Sequence, residues 1–391
     1  MAAIEQYGGG GGGDSLPLYY VHAANGNKGD GAIDNPFGTM ELLIAFFDAN
    51  PDILGATVIV LGGTFTVTDN IYRGNSFYFF PGTKIIFAPS DYTKCLLQDT
   101  GSYRYNNNFF FTGDVEIECY GNFIDLGYYF SNALVNAGKR WTIDIGKLTC
   151  YNTAALPIKL YGSINTYSIT FRELIIDSPS FITCYKDQRV LLDEGTAANA
   201  GCQLELFIDK CSFFSGATLL KTGAAAYDFF GRFPKIKIKS IDVTNTVSQA
   251  LLFSGKFNRL RKGVFTFNID SFLLRGAGNN VRLIERIGTN EVGSNPQDIF
   301  FNYSGIVFTW NTAFEFGSVG TVRLANEVAE DYLYSVFNNC KIPYGKCLPI
   351  VSGVLYSNVT VYNVGAFVEL PDRTLYKCLV NGTVGISPVL N

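Results

Sequence analysis

The chain has 391 residues and a formal net charge of −4, so nothing in it suggests a polyanionic partner such as nucleic acid. Charged residues make up only 16% and hydrophobic residues 47%, against about 25% charged in a typical domain, which points to side surface hidden in a subunit interface. No apolar run reaches the roughly 18 residues of a transmembrane helix, so membrane insertion is not expected.

The first residues, MAAIEQYGGGGGGDSLP, lack the basic start and apolar core of a signal peptide. Ordering Gly8 to Gly13 would cost too much entropy for a packed element. Residues 1–17 therefore read either as a flexible tail or as a hinged tether held by another protein. Next comes a polar loop, VHAANGNKGDGAIDNPFGTM (Val21 to Met40), and then the clearest helical pattern in the chain. Met40, Leu43, Ile44 and Phe47 fall at helical spacing. With Thr39 as N-cap and Asn50-Pro51 as stop, the helix is predicted near 39–49. Ala56 to Phe65 (ATVIVLGGTF) reads as the first buried strand and its turn.

The middle of the chain carries a hidden repeat. VEIECY, TIDIGKL, SITFREL, LFIDKCSF, IKIKSIDV, FNIDSFLL and FNYSGIVF each place alternating apolar residues before two mostly polar ones. Aligned on the last apolar residue before that gap, they give Ile117, Ile145, Phe171, Ile208, Ile238, Ile269 and Tyr303, at intervals of 28, 26, 37, 30, 31 and 34 residues. A recurrence near 30 with a period of two inside each unit predicts stacked β units. The predicted fold is all-β: a parallel β-helix over residues 18–350, closed at its start by the capping helix, with a small C-terminal β module at 351–391. A β-sandwich is the rival, but it predicts no recurring gap motif. A helix over the first coil would shield its unpaired backbone groups.

Few residues suggest chemistry. The single His, His22, adjoins no evident nucleophile, so a structural role is expected. The residue after each anchor should face solvent, giving the column Glu118, Gly146, Arg172, Asp209, Lys239, Asp270 and Ser304. Asp209 and Asp270, two rungs apart, would lie roughly 9 to 10 Å from each other, near the inverting-glycosidase range. They are the only candidate catalytic pair. Lys239 between them would keep both ionised, so a solvated ion ladder explains the column better. The nine cysteines are odd in number and contain no CxxC; buried reduced thiols are expected, with Cys340 and Cys347 close enough for a disulfide or half a metal site. No calcium loop occurs, no metal site is expected, and no cofactor is implied. Glu285, the pair Asp193-Glu194, and the set Glu327, Glu330 and Asp331 are scattered acids, and Arg259 to Lys262 (RLRK) reads as a solvated turn.

Residues 20–65 resemble the opening segment of pectin-lyase-like right-handed β-helix proteins, common among bacteriophage tailspikes and fibres and among polysaccharide lyases. The matching residues are Gly26, Asn27, Gly29, Asp30, Gly31, Asn35, Pro36, Phe37, Thr39, Gly62, Gly63 and Phe65. Near the C-terminus, Tyr362, Gly365, Val368, Leu375, Tyr376, Lys377, Cys378, Asn381 and Pro388 are similar in spacing to small carbohydrate-binding modules of the chitin-binding type. That resemblance assigns sugar contact to Tyr362 and Tyr376; a C-terminal cap or trimer-stabilising lobe is the other reading. Together the resemblances imply a structural protein of a bacteriophage virion, a head or tail fibre or spike assembled in the host cytoplasm. It would be a homotrimer, joined to other capsid or tail proteins through residues 1–17, and would present its far end to a host-surface glycan. The alternatives are a tailspike enzyme, hydrolase or lyase, cleaving a surface polysaccharide, and a cellular polysaccharide lyase.

Overall fold

The computed structural model describes residues 17–53, 55–98, 108–126, 140–151, 157–161, 166–177, 180–185, 203–213, 218–222, 234–246, 250–255, 263–277, 281–286, 306–319, 322–325, 334–337, 347–348, 354–355, 367–369 and 375–377. Residues 1–16, Tyr303, Ser304, Cys340, Tyr362, Asp193-Glu194, Arg259 to Lys262, and Glu327, Glu330 and Asp331 lie outside them.

The described chain is mostly strand. It opens with β1 (Leu18–Val21), helix α1 (Met40–Ala49), β2 (Thr57–Val60) and β3 (Gly63–Val67). Long and short strands then alternate: β4 (Ser76–Phe87), β5 (Cys95–Gln98), β6 (Phe109–Cys119), β7 (Asn122–Leu126), β8 (Arg140–Cys150) and β9 (Ile158–Tyr161). The alternation continues through β10 (Thr166–Ile176), β11 (Ser180–Tyr185), β12 (Gln203–Phe213), β13 (Thr218–Thr222), β14 (Lys235–Thr246), β15 (Ala250–Gly255), β16 (Gly263–Ala277) and β17 (Val281–Arg286). It ends with β18 (Ile306–Val319), β19 (Val322–Ala325), β20 (Tyr334–Phe337), β21 (Cys347–Leu348), β22 (Val354–Leu355), β23 (Phe367–Glu369) and β24 (Leu375–Lys377).

Twelve strands make one sheet, in the order β1-β2-β4-β6-β8-β10-β12-β14-β16-β18-β20 with β3 paired to β4. Nine make a second, in the order β5-β7-β9-β11-β13-β15-β17-β19-β21. The chain thus lays one long strand in the first sheet and one short strand in the second, then repeats. Neighbours are parallel, as in β8–β10, β10–β12 and β12–β14 of the first sheet and β7–β9 and β9–β11 of the second. β22, β23 and β24 form a separate small sheet with one parallel and one antiparallel pairing.

This topology turns sequence repeats into columns. Ile145, Phe171, Ile208, Ile238 and Ile269 pair successively, as the gap motif predicts, and all are buried. A parallel column runs Ile85, Ile117, Leu148, Leu174, Cys211, Ile241 and Phe272. The two sheets share one core. Phe111 of β6 meets Phe123 of β7 edge-on at 6.0 Å, and Phe171 of β10 meets Phe181 of β11 at 5.7 Å. Burying each such ring contributes roughly 1.5–3 kcal/mol.

Two of the predicted anchors are displaced. Ile117 pairs with Leu148 instead of Ile145, whose partner is Gly113. The cause is an irregular stretch: the β6–β8 register shifts between Gly113 and Glu116, and the β4–β6 register shifts between Phe79 and Thr83. Gly113 has φ +133°, and a Cβ there would collide with the Phe79 carbonyl, so the close approach requires glycine. At the other end, the partner of Ile269 is Thr312, not Tyr303.

The first sheet begins with an edge strand that the chain itself covers. The loop after β1 folds back along it: Tyr20 N–H donates to Gly31 O, Phe37 N–H to Tyr20 O and His22 N–H to Phe37 O, all at 2.8–2.9 Å. Backbone groups that would otherwise template another strand are thereby occupied. Helix α1 packs over the same strand. Thr39 caps it, its hydroxyl accepting from Leu42 N–H at 3.2 Å. Met40, Leu43 and Phe47 are buried, and Tyr19 of β1 meets the rings of Phe46 and Phe47 at 5.0 and 5.4 Å. The Asp48 carboxylate, near the helix end, accepts two hydrogen bonds from the Arg73 guanidinium, which also donates to the carbonyls of Asn70 and Tyr72.

Candidate functional site

In β12 and β16 the in–out alternation breaks once, where two consecutive side chains, at 209–210 and 270–271, face solvent. The pairing register passes from Ile208–Ile238 to Lys210–Ser240 and from Ile238–Ile269 to Ser240–Ser271, so Asp209, Lys239 and Asp270 occupy the bend on three successive rungs. All three are exposed. The Asp209 carboxylate is engaged by Lys239 Nζ at 2.7 Å. The expected order of Asp, Lys and Asp is therefore present, with Asp209 ion-paired and in water. A general acid needs its charge disfavoured, and an exposed, paired carboxylate has the opposite environment. The bend column thus carries an ion pair between successive rungs.

Of the rest of the expected column, Gly146 and Arg172 hold the same bend position on the two rungs before Asp209, as predicted, and Glu118 departs. Arg172 turns to Asp114 at 3.8 Å, and Glu118 lies beyond the bend, where Lys84 Nζ binds it at 2.6 Å. A longer charge ladder runs one residue past the bend. Lys84, Glu116, Lys147, Glu173 and Lys210 pair in register on five successive rungs with strictly alternating sign. Their separations are 3.9, 3.9, 3.5 and 3.0 Å. Ser240 and Ser271 continue the column without charge. The Lys210 hydrogen bond, opposed by partial burial and aided by Lys147, lowers the Glu173 carboxyl below the usual range. On the other arm of the bent strand, Glu205 accepts from Lys235 at 2.8 Å, Gln203 at 3.0 Å and Arg140 at 3.1 Å, and Lys235 foremost, with Arg140, lowers its carboxyl against the effect of partial burial.

Beside the ladder, at the corners after β6 and β8, the chain exposes aromatic rings. Tyr120 and Tyr151 follow Cys119 and Cys150 and stack at 4.8 Å with 17° between their planes. They are 37% and 44% exposed. The repeated Cys-Tyr dipeptide was the one sequence signal for this pair. The carbohydrate contacts expected at the C-terminus do not enter this geometry: Tyr362 lies outside the described residues, and Tyr376 is placed only as a backbone position in β24.

Cys95, Cys119, Cys150 and Cys211 are free and buried, as expected. Burial pushes the Cys119 thiol up to about 12 and those of Cys95, Cys150 and Cys211 well above the ordinary value. Thiols held protonated in the core neither attack nor bind metal. Among the described residues no group of three His, Cys, Asp or Glu side chains could hold a metal ion, and no helix is long and apolar enough to cross a membrane. Compared with protein-family models, curated proteins and solved structures, the chain gives no match.

Proposed function

We propose that this chain is a structural component of a bacteriophage virion, a head or tail fibre or spike built on a right-handed parallel β-helix. The observation that carries the reading is the helix-capped stack of parallel rungs, whose opening segment is the part that resembles tailspike and fibre proteins. A strand–crossover–strand unit in one sheet is right-handed in nearly all folds, which gives the handedness. Three copies would associate along their sides, hiding apolar surface and accounting for a charged content of only 16%. Residues 1–17 would join another virion protein, and the outer surface would meet a host-surface glycan. The Asp209 carboxylate is exposed and ion-paired to Lys239, a setting that favours a binding role over polysaccharide cleavage.

Two measurements test this. Mass photometry of the purified chain should give three times the mass of one chain, 43.0 kDa; a monomer at micromolar concentration would overturn the trimer. Gold-labelled antibody against the chain should decorate virus particles released from the cells that express it, and particles without label would overturn the virion assignment. Release of oligosaccharides from host surface polysaccharide by purified protein, lost in D209N/D270N, would replace the structural reading with the enzymatic one.

A further inference from the structure

The corner after the long strands repeats once per rung. Tyr120 N–H donates to Phe87 O at 2.9 Å, Tyr151 N–H to Cys119 O at 3.0 Å and Asp177 N–H to Cys150 O at 2.9 Å. Tyr120, Tyr151 and Asp177 therefore hold the same place on three successive rungs. The two rings stack, and the next rung offers a carboxylate instead of a third ring. Asp177 Oδ1 is buried and accepts no hydrogen bond among the described residues. Such an acceptor is costly unless a donor arrives. On the other flank, Lys84 holds Glu118 at 2.6 Å, and Lys147 lies 3.9 Å from Glu116. Partial burial and then Glu118 raise the Tyr151 hydroxyl above its ordinary value, so it stays a neutral donor.

These parts match one ligand chemistry better than the others. A pyranose ring has an apolar face of C–H groups and a rim of hydroxyls. The C–H face suits the negative face of an aromatic ring, and the rim suits carboxylate acceptors and ammonium donors. A nucleic acid base would also stack, but Lys84, Lys147 and Arg172 beside the rings are already paired with Glu118, Glu116 and Asp114, so its phosphates would find the nearby cations neutralised on a chain of net charge −4. A protein partner would have to desolvate the ion pairs beside the rings, whereas interface cores are depleted of charge.

We propose that the Tyr120–Tyr151 step, with Glu118, Lys147 and Asp177 around it, is a subsite for a hexopyranose unit of a surface polysaccharide. It rests on the glycan-contact part of the function proposed above, and places that contact on the flank of the stack and not in residues 351–391. The repeat of the corner along the stack lets a polymer lie across neighbouring rungs, which are about 4.8 Å apart.

Affinity electrophoresis tests the subsite with three probes cast into the gel: bacterial O-antigen polysaccharide, capsular polysaccharide and dextran. The full chain should be retarded by at least one of them. Tyr120→Ala/Tyr151→Ala should weaken that retardation about tenfold, as expected for losing aromatic stacking. Ile33→Ala removes an exposed apolar side chain from the loop that covers β1, and should leave it unchanged. Tyr151→Leu keeps apolar bulk without the aromatic face and should also weaken binding, which covers the case in which the double alanine variant loses its β-sheet circular dichroism. Retardation of the wild type that persists undiminished in both Tyr151 variants overturns the subsite and leaves the glycan-contact reading standing. A wild type retarded by none of the three overturns both.

Discussion

Phe171 is the sharpest place to perturb the stack. Its ring is fully buried in the column between Ile145 and Ile208 and meets Phe181 of the second sheet edge-on at 5.7 Å. Phe171→Ala removes the ring and leaves a void. Hydrogen bonds to β8 on one side and β12 on the other hold the backbone of β10 at rung spacing, so the site has little freedom to collapse. The cost should therefore be about 3–5 kcal/mol, with the lost ring pair included. In a stack of rungs each unit touches only its neighbours, so the loss should be local. Native-state hydrogen exchange followed by mass spectrometry reads this directly. Peptides covering 140–150, 166–176 and 203–213 should exchange more than a hundredfold faster, because about 1.4 kcal/mol is a factor of ten. Peptides covering 57–67 should not change. Acceleration below tenfold, or acceleration equal across the chain, would refute the column and its nearest-neighbour logic.

The remaining predictions concern the bulge, the ladder and the thiols. Gly113→Ala should destabilise β4 and β6 by more than the roughly 1 kcal/mol typical of a point substitution, because a Cβ at φ +133° meets the Phe79 carbonyl; thermal melting with no loss would contradict the close approach. Glu173 has a lowered carboxyl, so its stabilisation is present above its unfolded pKa of about 4.3 and disappears as pH falls through the folded value. Glu173→Gln should thus be less stable than wild type at pH 7, by at most about 1 kcal/mol per exposed pair, and the gap should narrow as pH falls below about 4, as urea titrations across that range would show. Cys119, with its thiol pushed up to about 12, should resist a thiol-reactive dye in the native protein at pH 8 and react fully in denaturant.

The sequence carried the stack where its anchors are apolar. Ile145, Phe171, Ile208, Ile238 and Ile269 keep the alternation unbroken up to the bend, and period-two patterning alone aligns them. The same rule failed at both ends for a physical reason. The anchor of β6 is Gly113, which has no side chain to mark it and sits in an irregular stretch, so the eye moves on to Ile117. The anchor of β18 is Thr312, a buried polar residue, and an apolar pattern passes over it. Misplacing β6 hid the longer ladder as well. Lys84 and Glu116 align with Lys147, Glu173 and Lys210 only once the register shift is known. The helix near 39–49 was legible because capping, spacing and stop signals agreed, and it forms as Met40–Ala49. The folding of the Gly31 to Phe37 loop along β1 was not, because backbone pairing by a polar loop leaves no periodic trace.

Distances along the outer column test the stack most directly. Spin labels on p-acetylphenylalanine leave the nine native cysteines untouched. Label pairs would join position 84 to positions 147, 210, 240 and 271, in chains diluted with unlabelled protein. Strands β4, β8, β12, β14 and β16 lie two, four, five and six rungs apart from the first. Dipolar spectroscopy should therefore give separations that rise linearly, by about 4.8 Å per rung, to about 29 Å for the last pair. Separations that do not grow in step with rung number would contradict the parallel stack.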